Sequence, residues 1–275
     1  MLIAVTSIQQ NRRPWIVEWI AFHLLVGFGQ VIVYSHKSSD GTDEALTRLS
    51  SRYPVTAYRL GDLDLPQIAA YRHSWQTHGG SVGWMAFIDG DEFLFPTRAA
   101  TMAAALAPFD SLPISALAVY WKIYGSNGHV ADPGGLLLER YPRHSAENYG
   151  ENSHVKSIVR GSERIDAFTA HVFQTPRGTF DENMRPVIYG RTEYAPSYGH
   201  FRINHYACQS WEFFKHYKQT SGAPDINPTL VRPESWFHHV DRNECDDGAS
   251  YNFLIRLKLK VAELEAYLAE PVPPS

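Results

Sequence analysis

Trp84-Met85-Ala86-Phe87-Ile88-Asp89-Gly90-Asp91-Glu92-Phe93-Leu94-Phe95 joins two apolar runs through a short acidic turn. Its first part, Trp84 to Ile88, is a short apolar run that reads as a buried strand. The run stops on two carboxylates one residue apart, on a turn loosened by glycine. Apolar Phe93-Leu94-Phe95 follows at once, so the acids sit between buried segments, where an unpartnered charge is costly. Two such acids can face one cavity and offer oxygen ligands to a hard divalent ion, Mg²⁺ or Mn²⁺. An ion of this kind is commonly shared with a substrate diphosphate, where it neutralises charge growing on a leaving group. Asp-Gly is also a common turn signal, and the apolar flanks are what favour the ligand reading.

Outward toward the N-terminus the pattern alternates between strand and helix, as in an α/β protein with a mainly parallel sheet. Leu2 to Val5 reads as a strand, and Pro14 stands where a first-turn proline belongs. Trp15, Ile16, Trp19, Ile20, His23 and Leu24 follow at helical spacing, closed by Gly27 and Gly29. Gln30 to Tyr34 is the second strand, and a helix that Thr42 can cap runs to Leu49. Val55 to Tyr58 is the third strand, and Pro66 opens a helix to about Thr77. The loops Thr6 to Asn11, Ser38 to Thr42 and Asp89 to Glu92 then all follow strand C-termini, the edge where open α/β sheets bind ligands.

Toward the C-terminus a helix at Ala99 to Leu106 precedes a strand at Ala116 to Trp121, and Gly125 to Asn152 reads as loops and short strands. Val155 to Val159, Ala170 to Phe173 and Phe201 to Asn204 are further strands, and Ser210 to Lys218 is helical. Leu254, Leu257, Val261, Leu264 and Leu268 form a seam at heptad spacing, read as a helix packed on the domain rather than a dimer zipper. The expectation is one three-layer α/β/α domain over 1–275. Residues 1–95 form a nucleotide-binding half, 96–248 a mixed α+β acceptor-binding half, and 249–275 a C-terminal helix and tail that frays from Pro271 to Ser275.

A net charge of −4, with 20% charged residues and no run of like charge, argues against nucleic acid as a partner. Two cysteines, Cys208 and Cys245, make no disulfide framework, and a cytoplasmic setting is expected. Leu2 to Val5 meets polar Thr6 too soon for a signal sequence, and no stretch approaches ~20 apolar residues, so membrane contact is at most peripheral. The 13 His, 7 Trp, 15 Tyr and 14 Phe include flat rings of the kind that sugar and nucleobase sites stack against, although an aromatic core also accounts for them.

The segments, taken in order, resemble the GT-A glycosyltransferases of the family 2 and family 92 type. The resemblance rests on Glu18-Trp19-Ile20 with His23 and Gly27, Ser38-Ser39-Asp40-Gly41-Thr42, Gln67 with Tyr71-Arg72-His73, and Trp84 to Leu94. It continues through Trp121 with Tyr124-Gly125-Ser126-Asn127-Gly128-His129, His154 to Arg160, and Asn204-His205-Tyr206 with Ser210 and Glu212-Phe213-Phe214-Lys215. It spans about residues 1–220. Gln10-Asn11-Arg12 departs from the Asn-Glu pair often found in the first loop, and Tyr124 stands where Phe is usual.

The resemblance implies a GT-A fold, a nucleotide-diphosphate sugar donor, Asp89 and Asp91 on the metal side, His205 as a third ligand, and inversion at the anomeric carbon. It also implies that Asp40 serves the nucleotide, against the alternative of a helix-capping turn. Gln67 and Arg72 could contact the base or diphosphate, or line a polar helix face. Lys156 could set a cation against the diphosphate, or be a solvated lysine on a strand. Trp121 and the loop carrying Ser126 and Asn127 could shape a sugar or acceptor pocket, or belong to the core.

An inverting transfer needs a general base, and Asp241 is the candidate, beside His238-His239. Glu244, Asp246, Asp247, Glu193 and Glu151 are alternatives, and an exposed acidic loop is the rival reading of 241–247. The expected reaction moves a sugar from a UDP-linked donor to the hydroxyl of a glycan, lipid-linked or other acceptor. A metal-dependent phosphohydrolase and a non-catalytic carbohydrate-binding protein are the competing functions.

Overall fold

The computed structural model describes residues 1–227 and 229–271, so most of the expected frayed tail lies outside the described residues. In chain order the first half comprises β1 (Ile3–Gln9), α1 (Ile16–Leu25), β2 (Gln30–His36), α2 (Thr42–Ser50), β3 (Val55–Leu60), α3 (Pro66–His78), β4 (Trp84–Phe87) and β5 (Glu92–Pro96). The second half begins with α4 (Met102–Leu106), β6 (Ala116–Ile123), α5 (Leu137–Arg140), β7 (Arg143–His144), β8 (Val155–Arg160), β9 (Thr179–Asp181), β10 (Pro186–Val187) and β11 (Phe201–His205). It ends with α6 (Trp211–Phe213), which widens into a π-helical turn (Phe214–Lys218), then α7 (Glu234–Val240), β12 (Cys245–Asp246) and α8 (Gly248–Ala269).

One sheet runs in the order β10-β9-β6-β8-β4-β1-β2-β3, with β11 joined to β6 and β5 joined to β11. The strands β3, β2, β1 and β4 are mutually parallel. From there β8 enters antiparallel to both β4 and β6, so the second half of the sheet is mixed, as expected. Alternation along the strands builds the layers. Ile3 and Val5, Val31 and Val33, and Trp84 and Ala86 pack in one cluster with Trp19, Leu46, Leu257 and Leu264 of α1, α2 and α8. Ala4, Ile32, Tyr34, Met85 and Phe87 pack in another with Ala70 and Tyr71 of α3. The result is a helix–sheet–helix sandwich whose buried Val, Leu, Ile, Phe and Met side chains each contribute about 1.5–3 kcal/mol. The C-terminal seam is spent on the domain: α8 packs against α1, α2 and α5, and Leu257 and Leu264 are fully buried.

Several expectations are corrected. Thr6 to Gln9 continue β1 instead of opening a loop, because Thr6 Oγ1 reaches Ser74 Oγ at 2.7 Å and so finds a partner inside the sandwich. The helix expected from Ala99 starts at Met102, where the Thr101 side chain accepts from Ala104 N. Ala170 to Phe173 is not a strand. The Ala170 and His171 carbonyls accept from Lys156 Nζ and Ser157 Oγ of β8, side-chain donors in place of a ladder. Phe93-Leu94-Phe95 belongs to a strand, β5, which the sequence reading left unassigned.

Candidate active site

The acidic turn leaves the C-terminal end of β4 and enters β5. Glu92 N donates to the Asp89 carbonyl (3.2 Å), and Asp89 N donates to Glu92 Oε2 (2.9 Å), so Glu92 closes the turn from both sides. The strand β5 then pairs antiparallel with β11, which sets His205 opposite Glu92. Tyr206 N donates to the Asp91 carbonyl (2.9 Å). This register, which joins residues more than a hundred positions apart, is what brings His205 to Asp91.

The two aspartates differ in their surroundings. Asp89 Oδ1 accepts from Gln67 Nε2 of α3 (2.6 Å), and Oδ2 accepts from Lys156 Nζ of β8 (2.8 Å). Lys156 is buried, and Glu92 Oε1 lies 3.8 Å from its ammonium. Burial works against charging all three groups, yet Lys156 still holds the Asp89 carboxyl below its usual value, and Asp89 and Glu92 push Lys156 up. Glu92 goes the other way: burial raises its pKa well above the carboxylate range.

Asp91 is only 2% exposed. Its Oδ2 is ion-paired with Lys218 at the end of the π-helical turn, and its Oδ1 lies 3.6 Å from His205 Nε2. Burial again opposes ionisation, but Lys218, His205 and Arg12 hold this carboxyl well below its usual value. Arg12, over the Phe213 ring at 5.4 Å, and Arg232 lie in the field of both aspartates.

Behind His205 the Trp121 ring lies 4.2 Å from the His205 ring, centre to centre, and stacks on His154 at 5.0 Å, with His171 5.5 Å away. His171 donates from Nδ1 to the Val155 carbonyl (2.9 Å), and burial pulls its pKa down to about 4, so this imidazole is neutral. Trp121 Nε1 and His205 Nδ1 are buried without a hydrogen-bond partner among the described residues, as is Asn127 Oδ1. Buried polar atoms seldom stay unpaired, and a polar ligand is one way to satisfy them.

Glycosyltransferase family 92 matches residues 1–240 of this sequence. The chain belongs to that family. A glycosyltransferase family 92 protein of Oryza sativa subsp. japonica is 29% identical to this family 92 chain over 254 residues, covering 85% of the chain and 41% of the relative. One from Arabidopsis thaliana is 23% identical over 261 residues, covering 85% and 43%. The chain therefore spans less than half the length of these curated relatives. Among solved structures, S. aureus TarS 1-349 in complex with UDP aligns with a TM-score of 0.39 and 18% identity, over 58% of this chain and 47% of that one. A likeness that distant assigns no residue a role.

Of the residues singled out in the sequence, the family 92 chain brings Gln67, Asp89, Asp91, Lys156, His205 and Trp121 together around the acidic turn. Asp40 is one loop away with both oxygens engaged. Oδ1 accepts from Thr42 N (3.1 Å) and Oγ1 (2.5 Å), and Oδ2 accepts from Arg13 N (2.9 Å). Asp40, not Thr42, thus supplies the capping side chain of α2. Arg72 is exposed on α3, with its guanidinium carbon 5.8 Å from the centre of the Phe168 ring.

Asp241 follows α7 and holds the Ser126-Asn127 loop. Its Oδ1 accepts from Ser126 N (2.6 Å) and Asn243 Nδ2 (2.8 Å), while Asn243 Oδ1 accepts from Asn127 N (2.8 Å). Among the alternatives, Asp247 pairs with Arg202 (2.6 Å), Asp246 with Arg143 (3.4 Å) and Glu244 with Arg242 (3.6 Å). Glu193 is exposed, and Glu151 sits 3.4 Å from both His154 Nδ1 and His239 Nε2. The sequence reading missed Lys218, Arg232 and Arg12 as members of the site. A lysine three residues past Lys215 on an amphipathic segment looks like any solvated lysine until β11 and the π-helical turn place it.

Proposed function

We propose that this chain transfers a sugar from a UDP-linked donor to an acceptor hydroxyl, with direct displacement and inversion at the anomeric carbon. The observation that carries the reading is the Asp91–His205 pair, set at the strand ends beside Lys156, Lys218, Arg12 and Arg232. Lys156, Lys218, Arg12 and Arg232 stand in the field of Asp89 and Asp91, with Glu92 and Asp225 beside them, and supply the cationic groups that can meet a diphosphate. Family membership supports a glycosyl-transfer chemistry for this site.

The residues fit a divalent ion. Asp91 Oδ1 and His205 Nε2 are 3.6 Å apart, too long for a hydrogen bond but suited to neighbouring ligands each about 2.1 Å from one ion. A carboxylate oxygen with an imidazole nitrogen suits Mn²⁺, or Mg²⁺ with more water. Among the described residues no three His, Cys, Asp or Glu converge as a complete metal cage, so water and the donor's phosphate oxygens would supply the other ligands. Asp89 then acts beside the ion rather than on it, holding Gln67 and Lys156 in place. Such an ion, when bound, would stabilise the negative charge of the departing diphosphate.

In the displacement, the acceptor oxygen forms a bond to the anomeric carbon as the bond to the diphosphate oxygen breaks, and the hydroxyl proton passes to a base. The test is incubation with UDP-, GDP- and ADP-sugars and Mn²⁺, following nucleotide release. Release of UDP, abolished in Asp91→Asn, is the expected result. Intact nucleotide sugars throughout, or hydrolysis of simple phosphate esters instead, would contradict the reading.

A further inference from the structure

Lys218 is the charged group on Asp91 that a metal ion on the same carboxylate would crowd. Its ammonium is ion-paired with Asp91 Oδ2, while the other oxygen of the same buried carboxylate faces His205. A divalent ion on Asp91 and His205 would stand within a few ångströms of that ammonium, where two cations repel strongly in a site this dry. One of them has to move. Lysine is equipped to do so, as a compact point charge on a flexible four-carbon stem. Its side chain is 15% exposed, against 2% for Asp91, so it reaches the site from the open side.

The backbone around Lys218 is built to hold it at this position. It ends the π-helical turn Phe214–Lys218, a widened turn of a kind that recurs at functional sites. Arg232 Nη1 donates to the Lys218 carbonyl (3.0 Å). Arg232 N donates to the Gln219 carbonyl (2.8 Å), and Gln219 Nε2 returns a bond to the Arg232 carbonyl (3.2 Å). These bonds close the neck of a strap that begins at Lys218. Farther along the strap, the Pro224 carbonyl accepts from Gln67 N (3.4 Å), and Gln67 is the residue that grips Asp89. The strap thus connects the partners of both aspartates.

We propose that Lys218 is an exchangeable counter-ion: a divalent cation on Asp91 and His205 displaces its ammonium, which then binds the donor diphosphate. The second step rests on the donor reading given above. Two consequences follow from linkage. Lys218 weakens the binding of the metal alone, and the nucleotide, by giving the ammonium a new partner, strengthens it.

The experiment titrates Mn²⁺ alone, and then UDP in the presence of Mn²⁺, into the wild-type chain, Lys218→Met and Lys218→Arg, by calorimetry. Lys218→Met is expected to bind Mn²⁺ alone roughly tenfold more tightly and UDP with Mn²⁺ roughly tenfold more weakly, with Lys218→Arg staying near wild type. Because Lys218→Met leaves Asp91 without its partner, its thermal midpoint is followed as well, and Mn²⁺ should raise it more than in the wild type. Mn²⁺ affinity unchanged or weaker in a folded Lys218→Met overturns the exchange. Tighter Mn²⁺ binding in that variant with no UDP binding by any of the three chains would retain the competition for Asp91 but overturn the diphosphate step and, with it, the donor reading.

Discussion

Lys156 Nζ and Asp89 Oδ2 stand 2.8 Å apart between β8 and the end of β4, strands whose antiparallel register pairs Phe87 with Ser157. With Glu92 Oε1 also 3.8 Å from the ammonium, Lys156 is the cation between two buried or half-buried acids. Breaking such a group by removing one partner is expensive. Lys156→Met is expected to lower the unfolding free energy by about 1–3 kcal/mol in urea denaturation, since the Asp89 side chain is 36% exposed and water meets part of its charge. A loss within the scatter of ordinary surface substitutions, about 0.5 kcal/mol, would show that the pair is not a structural support.

His23 predicts a pH dependence. It is fully buried in α1, its Nδ1 2.7 Å from the Trp19 carbonyl and its Nε2 3.4 Å from Leu94 N, and burial pulls its pKa from 6.5 to about 3. The folded-state value is depressed, so below about pH 6.5 the unfolded chain takes up a proton that the folded chain refuses. The contribution is complete above that pH and is lost as the pH falls toward about 3, by roughly 5 kcal/mol. His23→Gln should remove this part of the acid sensitivity. An acid unfolding profile identical to wild type would contradict it.

Asp241 is tested by a pair of substitutions. Asp241→Ala leaves the amide of buried Ser126 unpaired and is expected to cost about 1–3 kcal/mol of stability. Asp241→Asn keeps the Oδ1 acceptor and should recover most of it. Equal losses in both variants would mean that charge, not the acceptor oxygen, holds the loop.

The parallel half of the sheet was legible because each strand is a short apolar run and each helix has its own spacing and stop signals. The acidic turn was legible for the same reason: it interrupts such a run. What could not be read locally is what depends on pairing at long range. Phe93 to Phe95 looked like a flank of the motif until β11 supplied its partner. Ala170 to Phe173 looked like a strand because its apolar residues are buried, but its carbonyls go to side chains of β8. Asp40 has the composition of both a ligand and a cap, and only geometry shows that its oxygens are engaged. Lys218 carried no signal of its own, since its role depends on a widened helical turn and on a carboxylate 127 positions earlier.

In the proposed reaction Asp91, on the turn that enters β5, and His205, at the end of β11, join a divalent ion to the diphosphate of a nucleotide sugar. The deciding measurement is titration of UDP into the wild-type chain and into Asp91→Asn, each with and without Mn²⁺. Mn²⁺ is expected to strengthen UDP binding by at least roughly tenfold in the wild type and to leave it unchanged in the variant. UDP binding of equal strength with and without Mn²⁺, and unaltered in Asp91→Asn, would contradict it.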